Sequence, residues 1–260
     1  MAGGTVLLSR EGGIATVTLS SPGRMNALNK AMWQQLGEFA QQLHADDSVR
    51  CVVFRGDGDK AFAAGADIAE FHNERADSRQ AKAYAHQGIN WMAAIAGCRH
   101  PTVALIQGAC IGGGLLIAAQ CDIRICNESA RFGVPVKNLG LTESYDELRG
   151  MLLAAGPNVA LEMLLEGRIW GAREAYEKGL VNRVVPDAGV VEDAYATARR
   201  IAEGAPLVAR WHKKFIRRLL DPRPLTDAER DEGYACFDTE DYKAGVAAFL
   251  AKRKPEFSGR

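Results

Sequence analysis

Hydrophobic and polar positions alternate with a period of two near the N-terminal end of the chain and then change to a helical period. Residues 5–9 and 14–20 carry the alternating pattern on either side of Gly12-Gly13, which predicts a β-hairpin. Between residues 30 and 44, apolar side chains recur at helical spacing after Asn29, a residue suited to cap a helix. The pattern therefore predicts two strands followed by an amphipathic helix.

Strand-like and helix-like segments alternate through the middle of the chain. Strands are predicted at residues 51–54, 102–106 and 122–125, and helices at about residues 80–96 and from Gly113 onward. Alternation of this kind favours an α/β core in which the strands pair in parallel.

Helical patterns dominate the last part of the chain. After Leu148 they are interrupted by one strand-like stretch, residues 181–185, and from about residue 190 prolines separate the helical segments. No polar linker divides the chain. We therefore expect an α/β core over residues 1–190 that continues into a C-terminal helical region over residues 191–260.

Composition and charge narrow the classes of partner. The 260 residues are 47% hydrophobic and 25% charged, with a formal net charge of +0. These values are ordinary for a soluble globular protein and disfavour nucleic acid or an anionic membrane as a partner. No uninterrupted apolar run approaches the roughly 20 residues that span a bilayer, and the segment after Met1 lacks the features of a signal peptide. The six cysteines form no C-x-x-C pair, so we expect buried, reduced thiols in a cytoplasmic protein.

Two glycine-rich turns carry the clearest chemical signal. Residues 61–68 read Ala-Phe-Ala-Ala-Gly-Ala-Asp-Ile, and residues 108–114 read Gly-Ala-Cys-Ile-Gly-Gly-Gly. Each turn follows a predicted strand and leads into a helix-like segment. Small residues let a ligand approach backbone N–H groups, and a helix N-terminus adds positive charge. Two such donors aimed at one carbonyl oxygen form an oxyanion hole; the alternative is that these glycines only make tight turns.

With the two turns in their order, the chain resembles the crotonase family, also called the enoyl-CoA hydratase/isomerase family. The stretches that carry the resemblance span nearly the whole chain, at residues 24–29, 61–71, 107–125, 130–135, 165–168, 172–186 and 237–254. The resemblance implies a spiral of repeated ββα turns with a C-terminal helical region that forms trimers, often doubled to hexamers. The α/β alternation does not by itself show a spiral.

The resemblance also implies roles for particular residues. The backbone N–H groups of Ala66 and Gly113 would hold the thioester oxygen of an acyl-CoA as it gains enolate charge. Such a donor contributes roughly 3–4 kcal/mol in the transition state. Contacts with the substrate are implied for Ala27, Ala64, Asp67, Ile68, Phe249 and Lys252. For the last two, a solvated helix end is the alternative. No metal or redox cofactor is expected, since coenzyme A arrives as part of the substrate.

The chain departs from the family pattern at both positions where hydratases carry glutamates. Leu116 replaces the glutamate one helical turn after the glycine triplet, and Val136 replaces the one that follows Pro135. Neither side chain binds water or carries a proton, so hydration by the two-glutamate route is not expected. The nearby candidates for acid–base chemistry are Glu143, Asp146 and Glu147. Acidic residues at a helix start are alternatively caps.

Several functions therefore remain open. The first is an acyl-CoA enzyme that stabilises a thioester enolate and uses a carboxylate of residues 143–147 for isomerisation, decarboxylation or hydration. The second is a non-catalytic acyl-CoA-binding subunit. The third, RNA binding through basic residues 210–218, is disfavoured because Trp211, Phe215 and Leu219 predict an apolar stripe with the charges on the solvent face. The five histidines show no metal-ligand spacing.

Overall fold

A computed structural model describes residues 3–85 and 90–260, and its first two strands form the predicted hairpin. The described strands are, in chain order, β1 (Thr5–Glu11), β2 (Ile14–Ser20), β3 (Cys51–Gly56), β4 (Ala61–Ala63), β5 (Thr102–Ile106), β6 (Ala109–Ile111), β7 (Ile123–Asn127), β8 (Arg131–Gly133), β9 (Trp170–Gly171) and β10 (Arg183–Val185). β1 pairs antiparallel with β2. Only the last three residues of the predicted strand at 181–185 are extended, because Val181 N donates to Ala175 O at the end of the preceding helix.

The helices follow the predicted order with shifted ends. The described helices are α1 (Lys30–Ala45), α2 (Phe71–Glu74), α3 (Ser78–Ala85), α4 (Trp91–Ala96), α5 (Gly113–Gln120), α6 (Tyr145–Glu166), α7 (Ala172–Glu177), α8 (Val190–Ala202), α9 (Pro206–Leu219), α10 (Asp227–Glu232) and α11 (Glu240–Leu250). Asn29 caps α1 as predicted, since its side-chain oxygen accepts a hydrogen bond from Met32 N. The helix predicted at residues 80–96 corresponds to α3 and α4; its middle, residues 86–89, lies outside the described residues.

Two sheets run through the core, and the strands from β3 to β8 alternate between them. The larger sheet has the order β1-β2-β3-β5-β7-β10, and the smaller has the order β4-β6-β8-β9. β3, β5 and β7 pair in parallel, and so do β4, β6 and β8. Helices follow each of these strand pairs. The chain therefore winds as the spiral of ββα repeats that the resemblance implies.

The smaller sheet is missing from the prediction because its strands are two or three residues long and two of them overlap the glycine-rich turns. β4 opens the first turn and β6 lies within the second. Ala61 pairs with Ala109, and Ala63 pairs with Cys110. This pairing places the two turns side by side, which the sequence does not show.

Alternate residues of the large sheet face two different hydrophobic clusters. Phe54 and Ile106 lie in the main core with residues of α1, α4, α5 and α6. Val53 and Val103 lie in a second cluster with Val190 of α8. This period of two is expected of a sheet that is covered on both faces. α8, which begins at the predicted domain boundary, thus packs directly on the sheet.

Two basic residues of α9 face the body of the protein, although the sequence predicts their charges on the solvent face. Lys213 Nζ lies 2.7 Å from Asp122 Oδ2, and Arg210 Nη1 lies 2.9 Å from Asp47 Oδ1. Leu219, predicted to lie on the apolar stripe, is 65% exposed. The predicted orientation is wrong for Arg210, Lys213 and Leu219, whereas Trp211 and Phe215 are half-buried as the stripe predicts. Distant carboxylates attract the two cations, and helical periodicity carries no information about such pairing.

α6 is the one described helix that is long and apolar enough to cross a membrane by length and composition, with a mean hydropathy of 1.2. A break at Gly156, which has a φ of 80°, and the following Pro157 divide it into two shorter segments. Leu161 and Leu165 are exposed on its second half. Length and composition alone do not assign a membrane to it, and exposed leucines equally mark a surface that another protein chain covers.

The cysteines are unpaired thiols, and five of the six are buried. Burial raises the pKa of Cys51, Cys121 and Cys126 to about 12. These thiols therefore stay protonated at neutral pH and are poor nucleophiles. The expectation of buried thiols is confirmed for these five, whereas Cys236 is half-buried.

Candidate active site

Ala66 lies where the first glycine-rich turn runs beside the loop that precedes α1. Leu28 N donates to Gly65 O over 2.8 Å, and Asp67 N donates to Leu28 O over 2.8 Å. In such a parallel bridge, the N–H of the middle residue points away from its partner. Within residues 3–85 and 90–260, the Ala66 N–H has no hydrogen-bond partner. The first turn thus presents a free backbone donor.

Gly113 supplies a second free donor. It is the first residue of α5, so its N–H has no carbonyl one turn earlier to which it can donate. No described residue accepts from it. The preceding Gly112 has a φ of 50°, a conformation that favours glycine. The N-terminus of α5 also adds partial positive charge at this point.

The two donors lie where the glycine-rich turns meet. A Cβ built on Gly113 would lie 3.6 Å from Ala66 N, and one built on Gly65 would lie 3.7 Å from Gly113 N. Gly65 has a φ of 107°, so a side chain there would be strained. Gly65, Ala66, Gly112 and Gly113 are termed the paired-turn site. Two free N–H groups this close are suited to hold one oxygen that gains negative charge.

One buried tryptophan packs against the paired-turn site, and a second buried tryptophan packs against the first. A Cβ on Gly113 would lie 2.9 Å from Cζ2 of Trp33, and Trp33 stacks on Trp91 with ring centroids 4.1 Å apart. An apolar wall beside free donors excludes water and strengthens the hydrogen bonds that they make. Sequence reasoning missed both rings. The available signal for Trp33 is its place three residues before Leu36 on the apolar face of α1.

Leu116 and Val136 are packed apolar residues. Leu116 lies in the first turn of α5 and is 1% exposed. Because it is three residues beyond Gly113, it lies on the same face of the helix. Val136 is partly buried against the main core. The two positions at which the resemblance expects carboxylates therefore hold aliphatic side chains, of which Leu116 is fully buried and Val136 half-buried.

Two of the three candidate carboxylates have structural partners. Glu147 Oε2 accepts hydrogen bonds from Ser144 N at 2.7 Å and from Ser144 Oγ at 2.6 Å. Ser144 Oγ in turn accepts from Glu147 N, which completes a capping box at the start of α6. Asp146 is exposed, and its Oδ2 accepts from Asn90 Nδ2 at 2.7 Å. The alternative interpretation, a helix cap, thus applies to Glu147.

Glu143 is the candidate whose pKa is raised by its surroundings. Burial, the charge of Glu147 and a hydrogen bond with Glu147 raise the pKa of Glu143 to about 7, against the opposing effect of the Arg75 charge. A carboxyl group with a pKa near neutrality can both take and return a proton. Of the three candidates, Glu143 is the one suited to acid–base chemistry.

A chain of contacts connects the start of α6 to the paired-turn site. Asn90, which donates to Asp146, also caps α4, and Trp91 is the next residue. Trp91 stacks on Trp33, which contacts Gly113. α6 also packs along α5, the helix that begins at that glycine. The candidate carboxylates and the two backbone donors thus belong to one packed region.

This region and the fold match a known family over nearly the whole chain. Residues 9–260 match the family described as Enoyl-CoA hydratase/isomerase. The chain belongs to the enoyl-CoA hydratase/isomerase family. Membership explains the spiral of ββα repeats and confirms the α/β fold expected from the resemblance.

Solved structures and curated members of the enoyl-CoA hydratase/isomerase family align with almost the full chain. An enoyl-CoA hydratase/carnithine racemase from Magnetospirillum magneticum is 51% identical with a TM-score of 0.96, and the match covers 98% of this chain and 96% of that one. The short-chain-enoyl-CoA hydratase of Clostridium acetobutylicum is 32% identical over 96% of both chains. The crotonyl-CoA hydratase of Syntrophomonas wolfei is 32% identical over 99% of both.

Four of the residues to which family resemblance assigns substrate contacts surround the first turn. Ala64 N donates to Met25 O in the facing loop over 2.9 Å, and Ala27 lies in that loop. Asp67 is buried, pairs with Arg24 and accepts a hydrogen bond from the backbone N–H two residues later. Its side chain therefore holds the turn in shape. Ile68, the next residue, is exposed.

Phe249 lies in the last turn of α11, and Lys252 lies two residues beyond the end of that helix. Both side chains are exposed. α11 itself is held by buried Asp241, whose carboxylate accepts from Ser258 N at 2.7 Å and Gly259 N at 3.0 Å. Exposure fits a solvated helix end and equally fits a contact made across subunits.

Among the described residues, no group of three His, Cys, Asp or Glu side chains is placed to hold a metal ion.

Arg75 brings a cation to the vicinity of Glu143. Its guanidinium carbon lies 4.7 Å from the ring centroid of Phe71 and 4.0 Å from that of Tyr84. The buried Nε has no hydrogen-bond partner in the part of the chain that the structure describes. Sequence reasoning missed Arg75 because it lies in a polar segment without periodicity, where nothing distinguishes it from a surface arginine.

Proposed function

We propose that this member of the enoyl-CoA hydratase/isomerase family is an enoyl-CoA isomerase. It stabilises a thioester enolate at the paired-turn site and moves a proton with Glu143. The observation that carries the proposal is the pair of free N–H groups on Ala66 and Gly113, in the same packed region as a carboxyl group with a pKa of about 7. The names of relatives such as crotonyl-CoA hydratase support an acyl-CoA thioester as the substrate.

A single carboxylate is enough for a double-bond shift. The Glu143 carboxylate takes a proton from C2 of a 3-enoyl-CoA, and the electron pair moves onto the thioester oxygen, which the two N–H groups hold. The resulting dienolate takes the same proton back at C4. The C2–H bond breaks, a C4–H bond forms, and the double bond moves from C3–C4 to C2–C3 without another reactant.

Hydration is the runner-up, because the named relatives are hydratases. It requires one group to activate water and another to deliver a proton to carbon. The aliphatic side chains of Leu116 and Val136 do neither. A hydratase would therefore need two of the carboxylates at residues 143–147, of which Glu147 is already engaged as a cap.

Two assays of the wild-type protein separate these functions. Conversion of trans-3-hexenoyl-CoA to the 2-enoyl isomer is followed by the rise in absorbance of the conjugated thioester. Hydration of crotonyl-CoA is followed by its loss. We expect turnover in the first assay only. Turnover in the second assay alone would establish a hydratase, and tight acyl-CoA binding without either reaction would establish a binding subunit.

The proposal includes assembly as a trimer, alone or doubled to a hexamer. Large apolar side chains are exposed on three helices, among them Leu161 of α6, Leu219 of α9 and Phe249 of α11. Surfaces of this kind are normally covered by another chain. Light scattering is expected to give the mass of three or six copies, and the mass of one copy would contradict assembly as a trimer or hexamer. The cytoplasmic location and the absence of a metal stay predictions.

A further inference from the structure

Arg75 lies between α2 and α3. Two aromatic rings contact its guanidinium, but no described carboxylate forms an ion pair with it. Its guanidinium packs against the rings of Phe71 and Tyr84, at 4.7 and 4.0 Å from their centroids. Stacking of this kind uses the face of the guanidinium, and the N–H groups along its edge stay able to donate, one of them to the Tyr84 side chain. A buried Nε without an acceptor is energetically costly, and a ligand that accepts from it would remove that cost.

Three carboxylates of the neighbouring segments have partners other than Arg75. Glu70 Oε2 accepts from Lys30 N at 2.8 Å, and Glu74 Oε2 lies 2.7 Å from Lys30 Nζ. Glu147 caps α6. The Arg75 charge acts on Glu143 and lowers its pKa against the effects of burial and Glu147, but no ion pair joins the two side chains in the described part of the chain. Among residues 3–85 and 90–260, Arg75 has no ion-pair partner and its buried Nε has no hydrogen-bond partner, so the guanidinium is able to bind an anion from outside the chain.

We infer that Arg75 binds a carboxylate at the far end of the acyl chain, so that the substrate is the CoA thioester of a dicarboxylic acid. The inference rests on the proposed function, in which Glu143 acts on C2 and C4 of the acyl chain. Because the Arg75 charge acts on Glu143, we place a group that contacts Arg75 on the acyl chain beyond those carbons and not at the CoA end. A carboxylate matches the planar fork of a guanidinium with two parallel hydrogen bonds.

Binding of unreactive saturated thioesters tests the inference without requiring turnover. Calorimetry compares succinyl-, glutaryl- and adipoyl-CoA with butyryl-, valeryl- and hexanoyl-CoA, each pair having the same number of acyl carbons. For at least one pair, we expect the wild-type protein to bind the dicarboxylic thioester tenfold or more tightly. This preference is expected to disappear in Arg75→Gln and to persist in Arg79→Gln, which removes an exposed arginine of α3.

Two results overturn the inference and are distinct from failure of the proposed function. Equal or weaker binding of the dicarboxylic thioester in every pair overturns it, as does a preference that survives in Arg75→Gln. In both cases the monocarboxylic thioesters still bind, so the isomerase proposal stands. Binding of none of the six thioesters overturns the acyl-CoA assignment itself. If Arg75→Gln does not fold, Arg75→Lys keeps the charge but loses the planar fork, and it is expected to lose most of the preference.

Discussion

The indole of Trp33 and the backbone of Gly113 are in direct contact, since a Cβ added to Gly113 would lie 2.9 Å from Cζ2 and 3.0 Å from Cη2 of the ring. The same glycine contributes a free N–H, and its added Cβ would lie 3.6 Å from Ala66 N. The space for a side chain at residue 113 is therefore limited on two sides, by the ring of Trp33 and by the N–H group of Ala66. A glycine here keeps both the space for an oxygen and the geometry of the two N–H groups.

Replacing Gly113 by alanine is expected to lower kcat/KM for isomerisation by about 10²–10³-fold, the usual effect of losing one oxyanion donor. The methyl group would displace Trp33 and crowd the position of the thioester oxygen. Gly171→Ala is the matched control, because no described residue has an atom within 4 Å of a Cβ at that position. Steady-state kinetics of both variants check the prediction, and equal activity of the two would contradict it.

The activity is expected to rise with pH and to level off above neutrality. Glu143 must be ionised to take the C2 proton, and its pKa is about 7, so the free enzyme gains active base as pH increases through 7. Glu147→Gln removes a like charge beside Glu143 and is expected to move the midpoint to lower pH. Profiles of kcat/KM against pH for both proteins test this. A midpoint that stays in place, or moves upward, would be inconsistent with coupling between the two carboxyl groups.

Stability is expected to decrease as pH falls from about 6.5 toward 4 because of His100. The imidazole is buried, with Nε2 2.9 Å from Leu43 O, and burial together with the charges of Arg210 and Arg99 lowers its pKa to about 4. The unfolded chain, with an ordinary value near 6.5, binds more protons in this window, so the loss reaches roughly 3 kcal/mol.

His100→Gln is the variant that isolates this contribution, since an amide can still donate to Leu43 O but does not titrate. Urea unfolding at pH 7.5 and pH 5 gives the free energy of unfolding of both proteins. The wild-type protein is expected to lose more stability than the variant between the two pH values. Equal losses would assign the pH dependence to other groups.

Lys213 is expected to anchor α9 to the body of the protein. Its side chain is 7% exposed, and Nζ lies 2.7 Å from Asp122 Oδ2 and donates to His100 O over 2.7 Å. Lys213→Met leaves both acceptors short of a partner and should lower the free energy of unfolding by about 2–3 kcal/mol. Lys214→Met, at a position 60% exposed, should cost less than about 1 kcal/mol. Similar denaturation midpoints for the two variants would show that the buried contact does not stabilise the fold.

The main helices and the large sheet are predictable from local patterns. The period of apolar residues and the cap at Asn29 locate α1, and the continuous apolar runs locate β3 and β5. The paired strands β4 and β6 are not predictable in this way, because three-residue strands acquire their hydrogen bonds from a distant part of the chain. The orientation of α9 is likewise decided by Asp47 and Asp122, far away in sequence.

For the candidate site, the sequence identifies the glycine-rich turns and the departures at Leu116 and Val136. It does not rank the three carboxylates, because Glu143 and Glu147 differ in burial and partners and not in residue type. It also offers no sign of Arg75, whose importance depends on the rings around it and on the absence of a described ion-pair partner. These distinctions require the packed structure.

The role of Glu143 as the proton carrier is tested by the rate at which the wild-type protein, Glu143→Gln and Asp146→Asn convert trans-3-hexenoyl-CoA. We predict turnover by the wild-type protein, a loss of about 10²-fold or more in kcat for Glu143→Gln, and little change for Asp146→Asn, which removes an exposed carboxylate from the same segment. Full activity of Glu143→Gln would contradict the assignment of this residue as the proton carrier, and the absence of turnover in the wild-type protein would contradict the isomerase proposal itself.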